Sequence, residues 1–136
     1  MKRGLFALPI PGVVLLAYNV VVLLSSDPVG ALSAVVFRAS LTSGAAFTLT
    51  AGELLVLLGV VALFIEVVKA TRSSMASAID HALSALVFAA YLVEFLLVKA
   101  AGPGVFLVLT IMSFLDLIAG FTVTLGTARR DLTIQS

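Results

Sequence analysis

The chain has 136 residues, 62% of them hydrophobic and only 11% charged, against about 45–50% and about 25% in average soluble proteins. Net charge is +1 and cysteine and tryptophan are absent, which excludes a concentrated basic surface for nucleic acid, disulfides, thiolate metal centres and cysteine nucleophiles. So little charge cannot cover so much apolar side chain in water, so the expected solvent is the lipid bilayer and the expected organisation is one transmembrane domain, residues 1–136.

Four stretches are long enough to span a hydrocarbon core, which takes about 20 helical residues. They are apolar on every side, which favours helices over the alternating strands of a barrel. The expected fold is therefore all-α, a four-helix membrane bundle. The first span runs from about Gly4 to Leu24 and contains Pro9, Pro11, Tyr18 and Asn19. Its apolar part exceeds the roughly 7–15 residues of a secretory signal, so it reads as a retained span. The outer loop from Ser25 to Thr50 is too long for a simple hairpin. Within it "ALSAVVFRASL" is apolar enough for a short interfacial helix, Ala31 to Ser40, and "TSGAAFTLT" has the composition of a loop.

The second span, about Ala51 to Ala70, opens on Thr50-Ala51-Gly52-Glu53, the spacing of a capping box. "TRSSMAS" leads to the third, about Ala78 to Val98, where Ser77-Ala78-Ile79-Asp80 repeats the spacing with a shorter acid. "KAAG" leads to the fourth, about Pro103 to Thr127, with a proline where a first-turn residue needs no amide donor. Connections this short predict antiparallel neighbours. Lys2, Arg3, Lys69, Arg72, Arg129 and Arg130 fall on one side, and Arg38 and Lys99 on the other. That asymmetry predicts both termini on the cytoplasmic side.

Polar residues within the spans share faces. Ser113, Asp116, Gly120, Thr124 and Thr127 form one stripe on the fourth helix, and Asp80, Ser84, Tyr91 and Glu94 another on the third. Gly52, Gly59 and Glu66 recur every seven residues on the second, with Ala62 close by. Apolar side chains do not distinguish protein from lipid, so close contact at small residues and hydrogen bonds between polar ones hold membrane helices together. The three seams are expected to point inward, with Gly52, Gly59, Ser113, Gly120 and Thr124 as packing positions.

Depth separates the acids. Asp116 and Glu66 each lie roughly 20 Å from the outer end of their helix, in one layer slightly inside the midplane. Asp80, His81 and Lys69 form an inner cluster with Arg72. Glu53 and Glu94 lie near the outer interface within reach of Arg38 and Lys99, Glu53 serving its cap and Glu94 open to a pair with Lys99. Lys69 is placed to neutralise Glu66 at i, i+3 while its head reaches the inner surface. Asp116 has no basic neighbour within one turn, and an unpaired ionised carboxylate at that depth costs at least about 2.5–3.5 kcal/mol. It must be protonated, wet, or paired, with Glu66, Tyr91, Asn19 or a backbone carbonyl as partners. Asp116, Glu66, Glu94 and Tyr91 are thus the candidate ion or proton site.

His81 is the sole histidine, so a bis-histidine haem cannot be built within one chain; no metal site and no cofactor are expected. There is no P-loop, dinucleotide fingerprint, HExxH or GxSxG, and no enzyme activity is expected. "GELLVLLGVVALFIEVVKATRSSMASAIDHALSALVFAAYLVEFLLV", with "FLDLIAGFTVT" after it, resembles small four-span bacterial inner-membrane proteins with no assigned activity. The resemblance covers Gly52 to Thr124 and implies a multi-pass protein of the inner membrane, with no functional residue to carry over. The expected function is a non-enzymatic accessory, assembly or structural subunit that packs in the bilayer as a homo-oligomer or in a larger membrane complex. The alternatives are an oligomeric proton or small-cation transporter using Asp116, Glu66 and Glu94, and a bundle holding haem, quinone or pigment near His81 and Tyr91.

Overall fold

The computed structural model describes residues 9–71 and 75–134, except the side chains of residues 75–78, 124 and 127–134. It is mostly helical: α1 (Ile10–Leu23), α2 (Pro28–Ser33), α3 (Ala51–Ala70), α4 (Met75–Leu97) and α5 (Gly104–Ile134), with a 3-10 turn at Lys99–Ala101 before α5. Between α2 and α3 lie two antiparallel strands, β1 (Val35–Ser40) and β2 (Ala46–Thr50).

Three helical stretches are long and apolar enough to cross a membrane, Ala51–Ala70, Ile79–Leu97 and Gly104–Val123. The expected first span is shorter among the described residues. Pro9 is extended and α1 has 14 residues, a length of about 21 Å; residues 4–8 of that expectation lie outside the described residues. α3 begins as its sequence dictates. The Thr50 hydroxyl accepts from the Glu53 amide at 3.2 Å, and Glu53 Oε2 accepts from the Thr50 amide at 2.8 Å. α4 is already helical at Met75, so Ser77 sits inside it and not at its start, the place of the expected capping box.

The outer loop departs most from expectation. The expected helix over Ala31 to Ser40 is replaced by a shorter one, α2, capped by Asp27 Oδ1, which accepts from the Gly30 amide at 3.0 Å. The chain then turns extended at Ala34. Val35, Val36 and Phe37 favour a pleated strand, and β1 pairs with the supposed loop: Phe37 opposes Leu49, Ala39 opposes Phe47, and a bulge lies between Val35 and Phe37. The connection closes with the Leu41 amide donating to the Ala45 carbonyl at 2.9 Å. Gly44 takes φ +84° there, a conformation costly for any side chain.

Packing follows the small residues. α5 lies against α3 on one side and α4 on the other, and α1 against the same two helices. α3 and α4 make hardly any contact among the described residues despite their short connection, so the expectation that they are neighbours fails: α5 and α1 lie between them. Gly52 faces Val105 and Gly59 faces Leu109 and Met112, so α3 and α5 advance together and run parallel. Gly12 faces Val87 and Asn19 meets Glu94, so α1 and α4 also run parallel. Two helical hairpins, α1 with α3 and α4 with α5, thus stack side by side in the same sense.

The three seams face inward: Gly52, Gly59, Ala62, Glu66, Ser84, Tyr91, Ser113, Asp116 and Gly120 are buried. Leu57, Val61, Phe64, Leu86, Leu96, Ile111 and Phe121 are exposed on the outer faces.

A Cβ added at Gly59 would fall 2.7 Å from Leu109 Cδ2 and 2.9 Å from Met112 Sδ, whereas one at Gly104 meets nothing within 4 Å. Gly59→Leu is therefore expected to destabilise the bundle by about 1–3 kcal/mol and Gly104→Ala to stay within about 0.5 kcal/mol of wild type, measured by thermal unfolding in detergent. Equal effects from the two would dissociate the packing from Gly59.

Candidate functional site: a polar cavity at one end of the bundle

The last turns of α3, the beginning of α4 and the middle of α5 converge with the first residue of α1 on a small cavity. Its volume is about 10 Å³, and its lining is Glu66, Lys69, Ala70, Asp80, His81, Asp116 and Gly120. That is about the space of one water, which needs roughly 10–15 Å³.

Glu66 is the most fully partnered acid here. Its Oε1 accepts from the Ile10 backbone amide at 2.8 Å and from Lys69 Nζ at 3.1 Å, and its Oε2 lies 3.0 Å from the same Nζ. The Ile10 amide belongs to the first turn of α1, where backbone donors lack a partner within the helix. One carboxylate thereby satisfies a helix terminus and an ammonium at once. The ion pair is lopsided: the Lys69 side chain is 28% exposed and that of Glu66 6%, so the lysine stem covers apolar surface while its head reaches outward.

Asp116 faces α4. Ser84 hydrogen-bonds its carboxylate, which was not among the partners expected for it; Tyr91 and Asn19, which were, are engaged elsewhere. Asp116 Oδ2 is buried with no hydrogen-bond partner, as is the hydroxyl of Ser113 one turn earlier. Gly120, one turn later, sets the place of His81. A Cβ there would lie 2.7 Å from His81 Cε1 and closer still to Nδ1. The imidazole thus packs on bare backbone and stacks on Phe121 with ring centroids 6.4 Å apart.

The layer formed by Asp116 and Glu66 and the inner cluster of Asp80, His81 and Lys69, separate in the sequence reading, are one constellation here. Three carboxylates, one ammonium and one imidazole share it. Thr124 belongs to the same stripe, but its side chain lies outside the described residues.

Glu94 and Tyr91 do not join this constellation. Glu94 accepts from Asn19 Nδ2 through both oxygens, at 3.2 and 3.0 Å; Lys99 does not pair with it and Arg38 pairs with neither Glu94 nor Glu53. Tyr91 donates to the Pro11 carbonyl at 3.0 Å and Tyr18 to the Ala100 carbonyl at 2.8 Å. The Phe106 ring touches both tyrosines, with centroids 4.7 Å from Tyr18 and 5.5 Å from Tyr91. The three rings form an aromatic cluster, buried almost completely, toward the Glu94 end of the bundle. Sequence reading placed Ser84 on the right face, but its partner, like that of Asn19, depends on interhelical register, which no local pattern encodes.

No protein-family model, curated protein or solved structure matches the chain. Among the described residues, no group of three or more acidic, histidine or cysteine side chains is placed to hold a metal ion.

Removing the lysine head leaves Glu66 buried without its counter-charge. Lys69→Met is expected to cost about 1–3 kcal/mol, between the limits for exposed and buried pairs. Glu66→Gln added to it should recover part of that loss, because glutamine still accepts from the Ile10 amide. A double-mutant cycle by thermal unfolding checks this; strictly additive effects would show the two residues to be uncoupled.

Proposed function

We propose that this chain is an integral, multi-pass protein of the bacterial inner membrane, with both termini on the cytoplasmic side. It acts without catalysis, as an accessory, assembly or structural subunit that packs its helices against further copies of itself or against a larger membrane complex. The observation that carries this reading is the inverted distribution of polarity. Leu57, Val61, Phe64, Leu86, Phe114 and Phe121 are exposed while Glu66, Ser84, Ser113 and Asp116 are buried, and in water such a surface would exceed the apolar patch a soluble monomer tolerates. In lipid it carries no penalty, and the buried hydrogen bonds become the cohesive element. Phe37, Phe47, Val36 and Leu41 are exposed on the hairpin, as befits a segment at the lipid interface or against a partner.

A transporter reading draws on the same acids. The constellation at Glu66 and Asp116 favours a titrating or ion-binding role for that end of the bundle, since ionisable groups inside a membrane mark functional sites by default. Glu94 is held by Asn19 and lies outside the cavity's lining, which disfavours it as a continuation of the same site.

Gentle detergent extraction followed by native mass spectrometry tests the accessory role. A homo-oligomer or a complex with another membrane protein is the expected result, and a bare monomer at all detergent concentrations would contradict it. A reporter fused after Ser136 should be active only in its cytoplasm-dependent form.

A further inference from the structure

We propose that the cavity between Glu66, His81 and Asp116 is a proton-binding site, and that Asp116 Oδ2 is the atom that takes the proton. The inference rests on the membrane-embedded reading of the bundle and goes beyond it by naming a ligand and its acceptor.

The starting point is which acceptor atoms are already committed. Both oxygens of Glu66 are engaged, by Lys69 and the Ile10 amide. Asp116 is only 5% exposed, and of its two oxygens Oδ2 has no partner. A buried charge with an unsatisfied lone pair is a costly state, and a proton removes both costs. It neutralises the carboxylate and ends the state of Oδ2 as a buried orphan acceptor, on a residue that helps line a cavity of about 10 Å³, room for about one water. One O–H bond forms at Oδ2, the proton comes from water at the open end of the cavity and returns to it, and no electron moves.

The surrounding charges fit this ligand better than a cation. α3 contributes Glu66 and Lys69, and α4 contributes Asp80, His81 and the Ser84 hydroxyl. The titratable side chain of α1, Tyr18, sits at the far end on the Ala100 carbonyl. The carboxylates exceed the lysine, so a positive ligand is favoured. Among the described residues no three donors are placed to hold a metal ion, whereas a proton needs one oxygen. Access is from the cavity's own end of the bundle, where Asp80 and Lys69 are partly exposed.

The test uses the full-length protein in phospholipid vesicles with carboxyl-labelled aspartate, followed by infrared difference spectroscopy from about pH 9 to about pH 4. The expected result is an isotope-shifted protonated-carboxyl band that is lost in Asp116→Asn, persists in Asp27→Asn, and moves in frequency without vanishing in Ser84→Ala. A band that survives Asp116→Asn, or a wild-type spectrum with no buried protonated aspartate, would overturn the site. Ser84→Ala and the isotope label keep the test decisive if Asp116→Asn does not fold. The same vesicles are washed at alkaline pH. Protein that washes off refutes the membrane reading itself, whereas retained protein without the band refutes only the proton site.

Discussion

A carboxylate is kept inside an apolar bundle only where its lone pairs and its charge are both met, and Glu66 is where this chain meets that condition. Its two oxygens hold the Lys69 ammonium and the first amide of α1. The donors a helix start leaves unsatisfied need such a partner wherever the helix end is packed away from water. The end of α3 and the beginning of α1 are thereby fixed to one another. Because α5 runs parallel to α3 along the glycine contacts at Gly52 and Gly59, that anchor also fixes the level at which Asp116 enters the interior. The polar cavity is thus a consequence of how the helix ends are satisfied as well as a cluster of acids.

Two polar zones follow from the same packing. At one end, Glu66, Lys69, Asp80, His81 and Asp116 surround a cavity. At the other, Asn19 holds Glu94 through both carboxylate oxygens. Tyr18 and Tyr91 pack on Phe106 and donate their hydroxyls to backbone carbonyls of other segments. This division makes the second zone cohesive in character, with both Glu94 oxygens met by the Asn19 amide nitrogen, while the first retains an orphan oxygen at Asp116. Polar groups that are fully paired rigidify a bundle, and one left partly paired in a low-dielectric interior is costly.

The sequence carried the helices and their inward faces, because seven-residue spacing of glycines and three-four spacing of polar residues are properties of a single helix. The capping box at Thr50 and the pair of Glu66 with Lys69 were legible for the same reason, being contacts within one turn. The hairpin was not, although its signals were present: a β-branched and aromatic run at Val35 to Phe37, a second at Phe47 to Thr50, and a glycine between them. A short apolar run has no period that separates strand from interfacial helix, and the composition of the rest of the chain tipped the expectation to helix. The pairings of Ser84 with Asp116 and of Asn19 with Glu94 were beyond reach, because the first requires the register between α4 and α5 and the second requires knowing that α1, not α3, packs against α4. The short α3–α4 connection pointed the other way. It constrains how near two helix ends lie, not which flanks pack.

The central claim is that the outward faces of α3, α4 and α5 meet lipid while the seam of Ser113 and Asp116 does not. The absence of cysteine makes it directly measurable with single spin labels at Val61, Leu86 and Phe114, compared with one at Ser113, in reconstituted vesicles. Collisional relaxation should show the three outer sites open to oxygen and closed to a water-soluble nickel chelate, with the Ser113 site shielded from both. Outer sites open to the nickel chelate would contradict the account.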